Sequence, residues 1–478
     1  VEVKNPVGIN TSVGSGDLPL EVWSDGGNIS FKNGKVSKAQ GYAPVVDYPE
    51  PILGITPYLQ DSVPFWFLGT SQYLVRTEGG TPVNVSRPVG GPYTATIDNP
   101  WDGGILHQVA VMNNGADAPQ SYMPNVGFFV NLPNWNPLHR CSVIRPFKNY
   151  LVALDVTKNS ERYPTLVKWS SPADPGQVPY SWNEADPTND AGETSLADTS
   201  GAIVDGAKLR DYFIIYKEDS VYLMRYIGGV FVFAFQQLFN DVGILSKKCV
   251  AEFDGSHFVV GIGDVYVHNG VQKKSVIDGK NKERLFQSIR PDAIGRTFVI
   301  PDYNRTEMWV CFPSFDSTGN FCDKAMIWNW KEDTWTFRDL PDVFCAAVGI
   351  LDPQTPDNWN ADGGAWDTDG NIWGSASYNP AKTSILLSSP NRTKLYAMSN
   401  TSTYDGAVFT SFVQRTGIYM DDNRNLKSVH AVIPHVAGSG PAVMYIGTSK
   451  TQEGSIDWRG PFTFTIGENY KVDCKKVG

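Results

Sequence analysis

The sequence consists largely of short stretches in which aliphatic and aromatic residues alternate with polar ones, each leading into a polar turn. Alternation with a period of two places apolar side chains on one face of a β-strand. The chain is therefore predicted to be nearly all β. Seven such stretches share an aromatic residue flanked by aliphatic or small ones: Gln72–Val75, Asn149–Val152, Val221–Met224, Val265–His268, Ile327–Trp330, Ile372–Gly374 and Leu395–Met398.

Asn-Gly and Asp-Gly dipeptides punctuate these stretches. A two-residue hairpin turn of type I′ needs positive φ at both central positions, which these pairs tolerate best. We therefore predict a series of β-hairpins. The eleven dipeptides begin at Asp25, Asn33, Asp102, Asn114, Asp205, Asp254, Asn269, Asp278, Asp362, Asp369 and Asp405.

Val109–Met112 fits between the first two of the seven aromatic stretches without an aromatic residue, and with it several intervals fall near 35–45 residues. Four-stranded propeller blades occupy about 40–50 residues each. We predict an all-β fold: a β-propeller core with inserted loops and a small additional β-domain. One or two β-sandwiches built from ordinary hairpins are the alternative, because they need no repeat period.

The domain prediction follows changes of character along the chain. Residues 1–45 form an N-terminal hairpin arm and residues 46–400 the β-propeller, interrupted at 157–202 by a long loop insertion rich in Pro, Gly, Asp and Asn. Residues 401–478 form a C-terminal β region that is either a separate small domain or the source of the strand that closes the propeller. Lys280–Ile289 is the one segment with helical periodicity.

Composition narrows the class of protein. The chain has 478 residues, a net charge of −10, 41% hydrophobic residues and 19% charged residues. The acidic balance argues against attraction of the whole molecule to nucleic acid or to an anionic membrane. The longest apolar stretch, Val230–Phe235, is far too short to span a bilayer. The six cysteines are scattered without C-x-x-C pairs, which favours buried thiols and folding in a reducing compartment.

We predict no catalytic, cofactor or metal site. The common catalytic motifs are absent, and the six histidines have no metal-ligand spacing. Abundant carboxylates leave a glycosidase-type acid pair open. The segment Asp362–Asn371 begins like a calcium loop but lacks the closing Glu, so hairpin turns explain it more simply.

One basic run is a candidate partner contact. It comprises Lys273, Lys274, Lys280, Lys282 and Arg284, followed by Arg290. A phosphate-contacting patch fits these residues. The acidic chain around them favours a solvated face or an acidic protein partner.

Two stretches carry a resemblance to a known family. Trp23–Lys38 is similar to the N-terminal W-x-D-G-x-N-[VI]-x-F-x-[DN]-G segment of tail proteins from short-tailed bacteriophages. Ala325–Thr336 resembles a hairpin of the same proteins, with tryptophans around a charged turn. The family is the tail nozzle group, that is, tail tubular protein B-like and packaged-DNA stabilisation proteins. The likeness extends over most of residues 20–415, and its motifs are structural.

The resemblance implies a virion protein of the tail, assembled in the host cytoplasm, without enzymatic activity or cofactor. It implies a ring of six copies around the DNA channel that retains the packaged genome and conducts double-stranded DNA during ejection. The implied partners are other copies of the chain, a tail adaptor or portal-side ring, and tail fibres, a needle or a plug. Insertion of this chain into a membrane is not expected.

For such a ring we predict neighbour contacts through residues 157–202 and 401–478, so that deletion of 157–202 leaves a folded monomer that no longer assembles. We also predict acidic or neutral loops facing the DNA, because cations on a channel wall bind phosphate and add friction. The alternative function is a carbohydrate-binding or depolymerising β-propeller that acts as a receptor-binding protein. A β-sandwich binding module is a third possible function.

Overall fold

Strands occupy about half of the described residues, and their pairing determines the architecture. The structure is a computed structural model that describes residues 2–3, 6–60, 63–78, 81–350, 383–399, 401–419, 427–451 and 454–477. The first four strands are β1 (Asp25–Gly27), β2 (Ile29–Lys32), β3 (Lys35–Lys38) and β4 (Gly41–Asp47).

Three antiparallel four-stranded sheets follow in chain order. The first contains β5 (Gly54–Gln60), β6 (Val63–Gly69), β7 (Leu74–Glu78) and β8 (Thr81–Asn84). The second contains β9 (Asp102–Leu106), β10 (Val109–Asn113), β11 (Gln120–Tyr122) and β12 (Phe129–Asn131). The third contains β13 (His139–Phe147), β14 (Tyr150–Lys158), β15 (Glu161–Trp169) and β16 (Gly192–Ser195).

Three further four-stranded sheets repeat the pattern. The fourth contains β17 (Ile203–Leu209), β18 (Tyr212–Lys217), β19 (Val221–Tyr226) and β20 (Phe233–Phe239). The fifth contains β21 (Val250–Phe253), β22 (Ser256–Val260), β23 (Val265–His268) and β24 (Lys273–Ser275). The sixth contains β25 (Phe298–Asp302), β26 (Glu307–Phe312), β27 (Cys322–Asn329) and β28 (Thr334–Val343).

The seventh sheet closes the ring with a strand from the start of the chain. Its order is β29 (Cys345–Ile350), β30 (Thr383–Ser389), β31 (Lys394–Ser399) and then β4. The short strands β32 (Thr403–Tyr404) and β33 (Ala407–Val408) extend its outer edge. The first strand of each sheet lies against the first strand of the next, and β29 lies against β5. The molecule is a seven-bladed β-propeller. The repeat spacing predicted the propeller but not the number of its blades.

Hydrophobic side chains fill the spaces between neighbouring blades. The buried cluster between the third and fourth blades, for example, combines Val152 and Trp169 with Phe213 and Met224. Similar clusters join the other blades. Each blade is covered on both faces by its neighbours, so both sides of its middle strands are buried. These strands therefore contain nearly continuous apolar runs, such as Tyr212–Lys217.

The remaining strands lie outside the seven blades. The hairpin β2–β3 packs on the sixth blade, and β1 pairs with β34 (Phe412–Gln414). Near the C-terminus, β35 (Ser428–Val432) pairs with β38 (Val472–Val477), and β36 (Pro441–Thr448) pairs with β37 (Asp457–Thr465). The helix α1 (Lys282–Ser288) confirms the periodicity of Lys280–Ile289, and single turns of 3-10 helix cover Gly229–Phe231 and Pro390–Arg392, with a longer one at Pro291–Arg296.

The structure differs from the sequence-based domain boundaries in two places. The segment 157–202 is not a loop insertion: it contains β15 and β16, the outer half of the third blade, and only residues 170–191 form the loop between them. Its deletion would therefore remove half a blade, so it does not test assembly. The closing strand is β4, which overlaps the predicted arm, whereas residues 401–477 add edge strands and the two small C-terminal sheets.

Candidate functional site

Charged side chains meet where the inner strands of the second to fourth blades begin or end. We name Asp102, Arg145, Asp205, Lys247 and Lys248 the axial cluster. Arg145 lies at the centre: its guanidinium contacts Asp102 Oδ2 at 2.5 Å and Asp205 Oδ1 at 2.8 Å. Lys248 Nζ lies 3.2 Å from Asp102 Oδ1, and its backbone N–H donates to Asp205 Oδ2 at 2.8 Å. The cluster thus ties three inner strands to the loop that precedes β21.

A glycine follows each aspartate of this cluster and allows neighbouring side chains to pack closely against the strand. Asp102 and Asp205 each precede a glycine, whose N–H donates to the aspartate Oδ1 at 2.9 Å and 2.7 Å. A Cβ on Gly103 would lie 2.5 Å from Met112 Sδ, and one on Gly206 would lie 2.6 Å from the Phe213 ring. The Asp-Gly pair here permits close packing inside a strand, not a turn.

These two dipeptides were wrongly predicted as hairpin turns. The turns come a few residues later, where His107 and Gln108 have φ of 45° and 74° and Arg210 has φ of 54°. The prediction holds for Asn33-Gly34, Asp254-Gly255 and Asp405-Gly406, which join antiparallel strands with positive φ at both residues.

The electrostatics of the axial cluster favour the charged forms of its paired members. Burial alone would raise the pKa of the Asp102 carboxyl, but Arg145 and Lys248 outweigh it and hold that pKa well below its usual range. Burial likewise opposes the charge of Arg145, but Asp102 and Asp205 raise its pKa. Asp102 and Arg145 therefore stay ionised at neutral pH, and their ion pair links neighbouring inner strands.

The predicted basic run does not form a free cationic patch. Lys273 contacts Asp241 at 2.5 Å and Lys280 contacts Asp333 at 2.5 Å. Arg284 contacts Asp25 at 2.7 Å and lies over the Phe337 ring. Lys282 lies 3.7 Å from Asp264, while Lys274 is exposed on β24. Arg290 contacts Asp292 at 2.8 Å. Most of these cations are neutralised within the chain, which weakens a phosphate-binding interpretation.

The long loop of the third blade is fixed to its own strands. Lys168, with a side chain only 2% exposed, contacts Glu184 of the loop and Glu193 of β16. Trp182 of the loop packs edge-to-face on Trp135. Burial opposes the charge of Glu184, but the hydrogen bond from Lys168 lowers its pKa to about 2. The loop is therefore held as an ordered part of the blade.

A hydrogen-bonded group of Tyr216, His257 and His268 lies buried between the fourth and fifth blades. The Tyr216 hydroxyl lies 2.7 Å from His257 Nδ1 and 2.6 Å from His268 Nε2. His257 Nε2 faces the Lys208 carbonyl at 2.7 Å, and the Gly270 N–H donates to His268 Nδ1 at 3.2 Å. These contacts assign both rings as neutral: Tyr216 donates to His257, and His268 donates to Tyr216.

Potential metal ligands are dispersed over the described residues, and the thiols are buried. Among them, no group of three or more His, Cys, Asp or Glu side chains could hold a metal ion, and no helix is long and apolar enough to cross a membrane. All six cysteines are free and buried. Burial raises the pKa of the Cys249 thiol to about 12, so it is a poor nucleophile at neutral pH. The calcium-like segment Asp362–Asn371 lies outside the described residues.

An apolar hairpin end projects from the fourth blade. We name Tyr226, Ile227, Val230 and Phe231 the apolar tip; Val230 is 96% exposed and Phe231 76% exposed. Beside them Val232 is buried at φ 52°, a strained conformation for a β-branched residue. The N–H groups of Ile227 and Gly228 donate to the Val232 carbonyl and hold the loop in this form.

Fold and site together define a seven-bladed β-propeller whose described residues carry structural ion pairs. No family model and no curated protein matches the chain. Among solved structures it is similar to the computationally designed protein Ika8 (10% identity, TM-score 0.40, 75% of this chain and 100% of that one). It is also similar to the Neurospora crassa Pan2 WD40 domain (8% identity, TM-score 0.42, covering 76% of this chain and 98% of that one). A third similar structure is the extracellular domain of a putative hybrid two-component system of B. thetaiotaomicron (10% identity, TM-score 0.43). The alignment covers 91% of this chain and 49% of that one, so this chain spans about half of its length.

Proposed function

We propose that this chain is a non-enzymatic structural subunit of the tail of a short-tailed bacteriophage, where it forms the nozzle ring around the DNA channel. In this role, copies of the chain assemble side by side beneath an adaptor or portal-side ring and hold fibres, a needle or a plug at the distal side. The ring retains the packaged genome and conducts DNA during ejection.

The observation that carries the proposal is the contact between the two stretches that resemble tail nozzle proteins. They are about 300 residues apart in sequence, yet the hairpin β2–β3 from the first packs on the sixth blade, which contains the second. The Asn33 N–H donates to Glu332 at 2.6 Å. Two motifs that form one structural unit are better support for a resemblance than two isolated matches.

Asn28 joins the parts of this unit. Its amide nitrogen donates to Asp339 at 2.7 Å and to the Thr410 carbonyl at 2.9 Å. Its side-chain oxygen accepts from the Asp339 N–H and from the Tyr404 hydroxyl. Asn28 is 5% exposed and has φ of 56°, which asparagine tolerates better than most residues.

Replacing Asn28 should loosen the attachment of the β2–β3 hairpin to the sixth blade. We expect Asn28→Gly to cost about 2–3 kcal/mol, because it removes the hydrogen bonds of Asn28 with half-buried groups of Asp339 and Tyr404 while relieving any strain at positive φ. Asn28→Ala should cost more, since it adds backbone strain. Hydrogen exchange of β2, β3 and β28 measures the effect. Unchanged protection in both variants would contradict the role of Asn28.

DNA passage in this proposal runs between subunits, not through a propeller. The axial cluster joins charged groups on the inner strands of three consecutive blades, with Arg145 only 16% exposed in its side chain. The prediction of acidic or neutral lumen loops therefore concerns the outer surface of the propeller.

Lateral assembly is supported by exposed apolar surface. The apolar tip is one such surface. A second lies on the C-terminal sheet, where Val443, Tyr445 and Trp458 are 57%, 56% and 45% exposed. Contiguous apolar patches on soluble proteins commonly mark interaction sites.

The apolar tip gives an assembly test. We expect Val230→Ser combined with Phe231→Ser to weaken subunit association about 10-fold or more while leaving monomer stability within about 0.5 kcal/mol, because both side chains are exposed in the monomer. Mass photometry over a concentration series measures association. The matched control is Val89→Ser with Val271→Ser, two valines that are 82% and 80% exposed elsewhere. Equal loss of assembly in both variants would argue against a specific contact.

Imaging tests the proposal as a whole. Cryo-electron microscopy of the purified chain, and of the particle that contains it, should show an annulus with an axial opening wide enough for a duplex. A chain that remains a monomer at all concentrations and occupies no ring in particles would refute it. Turnover of a polysaccharide would instead favour the receptor-binding alternative.

A further inference from the structure

The axial cluster holds more cations than carboxylates. Asp102 is shared by Arg145 and Lys248, and Asp205 is occupied by Arg145 together with the Lys248 and Gly206 N–H groups. Three cations therefore surround two aspartates, and the third cation is Lys247. Its ammonium donates to the carbonyl of Ser142 at 3.1 Å, a neutral acceptor.

Other carboxylates near Lys247 are also committed. Asp155 contributes to its electrostatic environment, but both oxygens of Asp155 accept from Arg162 at 2.8 Å. By contrast, Lys273, Lys280 and Arg284 each contact a carboxylate of their own. Lys247 is thus the cation of the axial cluster that lacks a carboxylate contact of its own.

Lys247 is nevertheless open to solvent. The residue is exposed, while the surrounding protein lowers the pKa of its ammonium by desolvation, and Arg145 adds to the effect. Its ammonium reaches from the loop before β21 to the backbone of β13, the strand that also contains Arg145. There, an anion would meet Lys247, Lys248 and Arg145 at lower dielectric than on an open surface.

We propose that the mouth of the propeller axis at Lys247 binds a single oxyanion group, a carboxylate or a phosphate, with the Lys247 ammonium as its principal donor. The bound group replaces the neutral Ser142 carbonyl with a charge-assisted hydrogen bond. The ligand contributes one oxyanion group, because Lys248 and Arg145 stay paired with Asp102 and only the Lys247 ammonium is free to form a new charge-assisted bond. An acidic side chain of a partner protein and a free phosphate share this chemistry. The site does not depend on the proposed role in a phage tail.

Amine labelling tests the site in the intact wild-type protein. Acetylation of lysines with an N-hydroxysuccinimide ester at pH 8, read by peptide mass spectrometry, gives a rate for each lysine. We expect Lys247 to react about 3-fold or more slowly in inorganic phosphate than in sodium chloride of equal ionic strength, because a bound anion shields its amine and favours the protonated form. Lys273, already paired with Asp241, serves as the internal control and should not change.

A short triglutamate peptide forms the second arm. Protection by phosphate alone supports a free phosphate ligand, protection by the peptide alone supports an acidic protein partner, and protection by both supports a general oxyanion site. Protection by neither, or equal protection of Lys247 and Lys273, overturns the proposal. Lys247→Gln provides a further check: phosphate should raise the melting temperature of wild type more than that of the variant, and equal shifts would also overturn it.

Discussion

Replacing Arg145 with methionine is expected to destabilise the propeller by about 3–5 kcal/mol, the largest effect of any single substitution discussed for this chain. The guanidinium bridges Asp102 and Asp205 on two different inner strands. Without it, two carboxylates face each other in a poorly hydrated site, with Lys248 as the remaining side-chain cation in contact with either. Urea unfolding, followed by far-UV circular dichroism and by tryptophan fluorescence, measures the loss.

A matched substitution separates the axial site from the general cost of losing an arginine. Arg162 makes a two-pronged contact with Asp155, but its side chain is 62% exposed. Arg162→Met should therefore cost less than about 1 kcal/mol. If Arg145→Met and Arg162→Met cost the same, the axial cluster has no special role in stability.

The partners of Arg145 provide the second half of this test. Adding Asp205→Asn to Arg145→Met removes the carboxylate that has lost its side-chain cation, while Asp102 keeps its contact with Lys248. We expect the double variant to regain at least half of the lost stability, because the cost of breaking a buried pair is mainly that of the isolated charge. A double variant less stable than Arg145→Met would show that packing, not charge, dominates at this site.

The all-β class and the propeller could be predicted because they depend on local signals that recur. Period-two alternation, aromatic strands and type I′ turns such as Asn33-Gly34 each reflect short-range geometry. The helix at Lys282–Ser288 was visible for the same reason. Closure of the ring by β4 was not, because pairing of β4 with β31 joins residues about 350 positions apart.

The axial cluster could not be predicted because its residues also fit a simpler local pattern. Asp102-Gly103 and Asp205-Gly206 have the composition of turns, and nothing within either segment shows that Arg145 lies between them. The third blade illustrates the opposite error. Pro, Gly and Asp concentrated at 170–191 made the whole segment 157–202 look irregular, although it contains the nine-residue strand β15, which pairs with β14 across one register shift.

Acidification should unfold the protein in a window set by two buried histidines. Burial lowers the pKa of His257 to about 4, and burial together with the neighbouring His257 lowers that of His268 to about 3. Both groups bind a proton in the unfolded chain near pH 6.5 but not in the fold. Stability is therefore constant above that pH and falls below it.

The free energy of unfolding is expected to fall steeply with decreasing pH. Each neutral histidine costs about 1.4 kcal/mol of stability for every pH unit below 6.5, until the pH approaches its pKa in the fold. Two histidines should remove on the order of 4 kcal/mol between pH 6.5 and pH 5, a large part of a typical domain stability. Paired carboxylates such as Glu184, with a pKa of about 2, contribute only at lower pH. Urea unfolding at half-unit intervals from pH 7.5 to pH 4.5 measures the curve.

His268→Gln tests whether this histidine group causes the slope. Glutamine retains an N–H donor for Tyr216 but does not titrate, so the variant should lose about half of the pH dependence below 6.5. His430→Gln is the matched control, because His430 lies on the exposed strand β35. The variant and the control can differ in stability at pH 7.5 without affecting this comparison of slopes. A slope in His268→Gln equal to that of wild type would place the acid sensitivity elsewhere in the molecule.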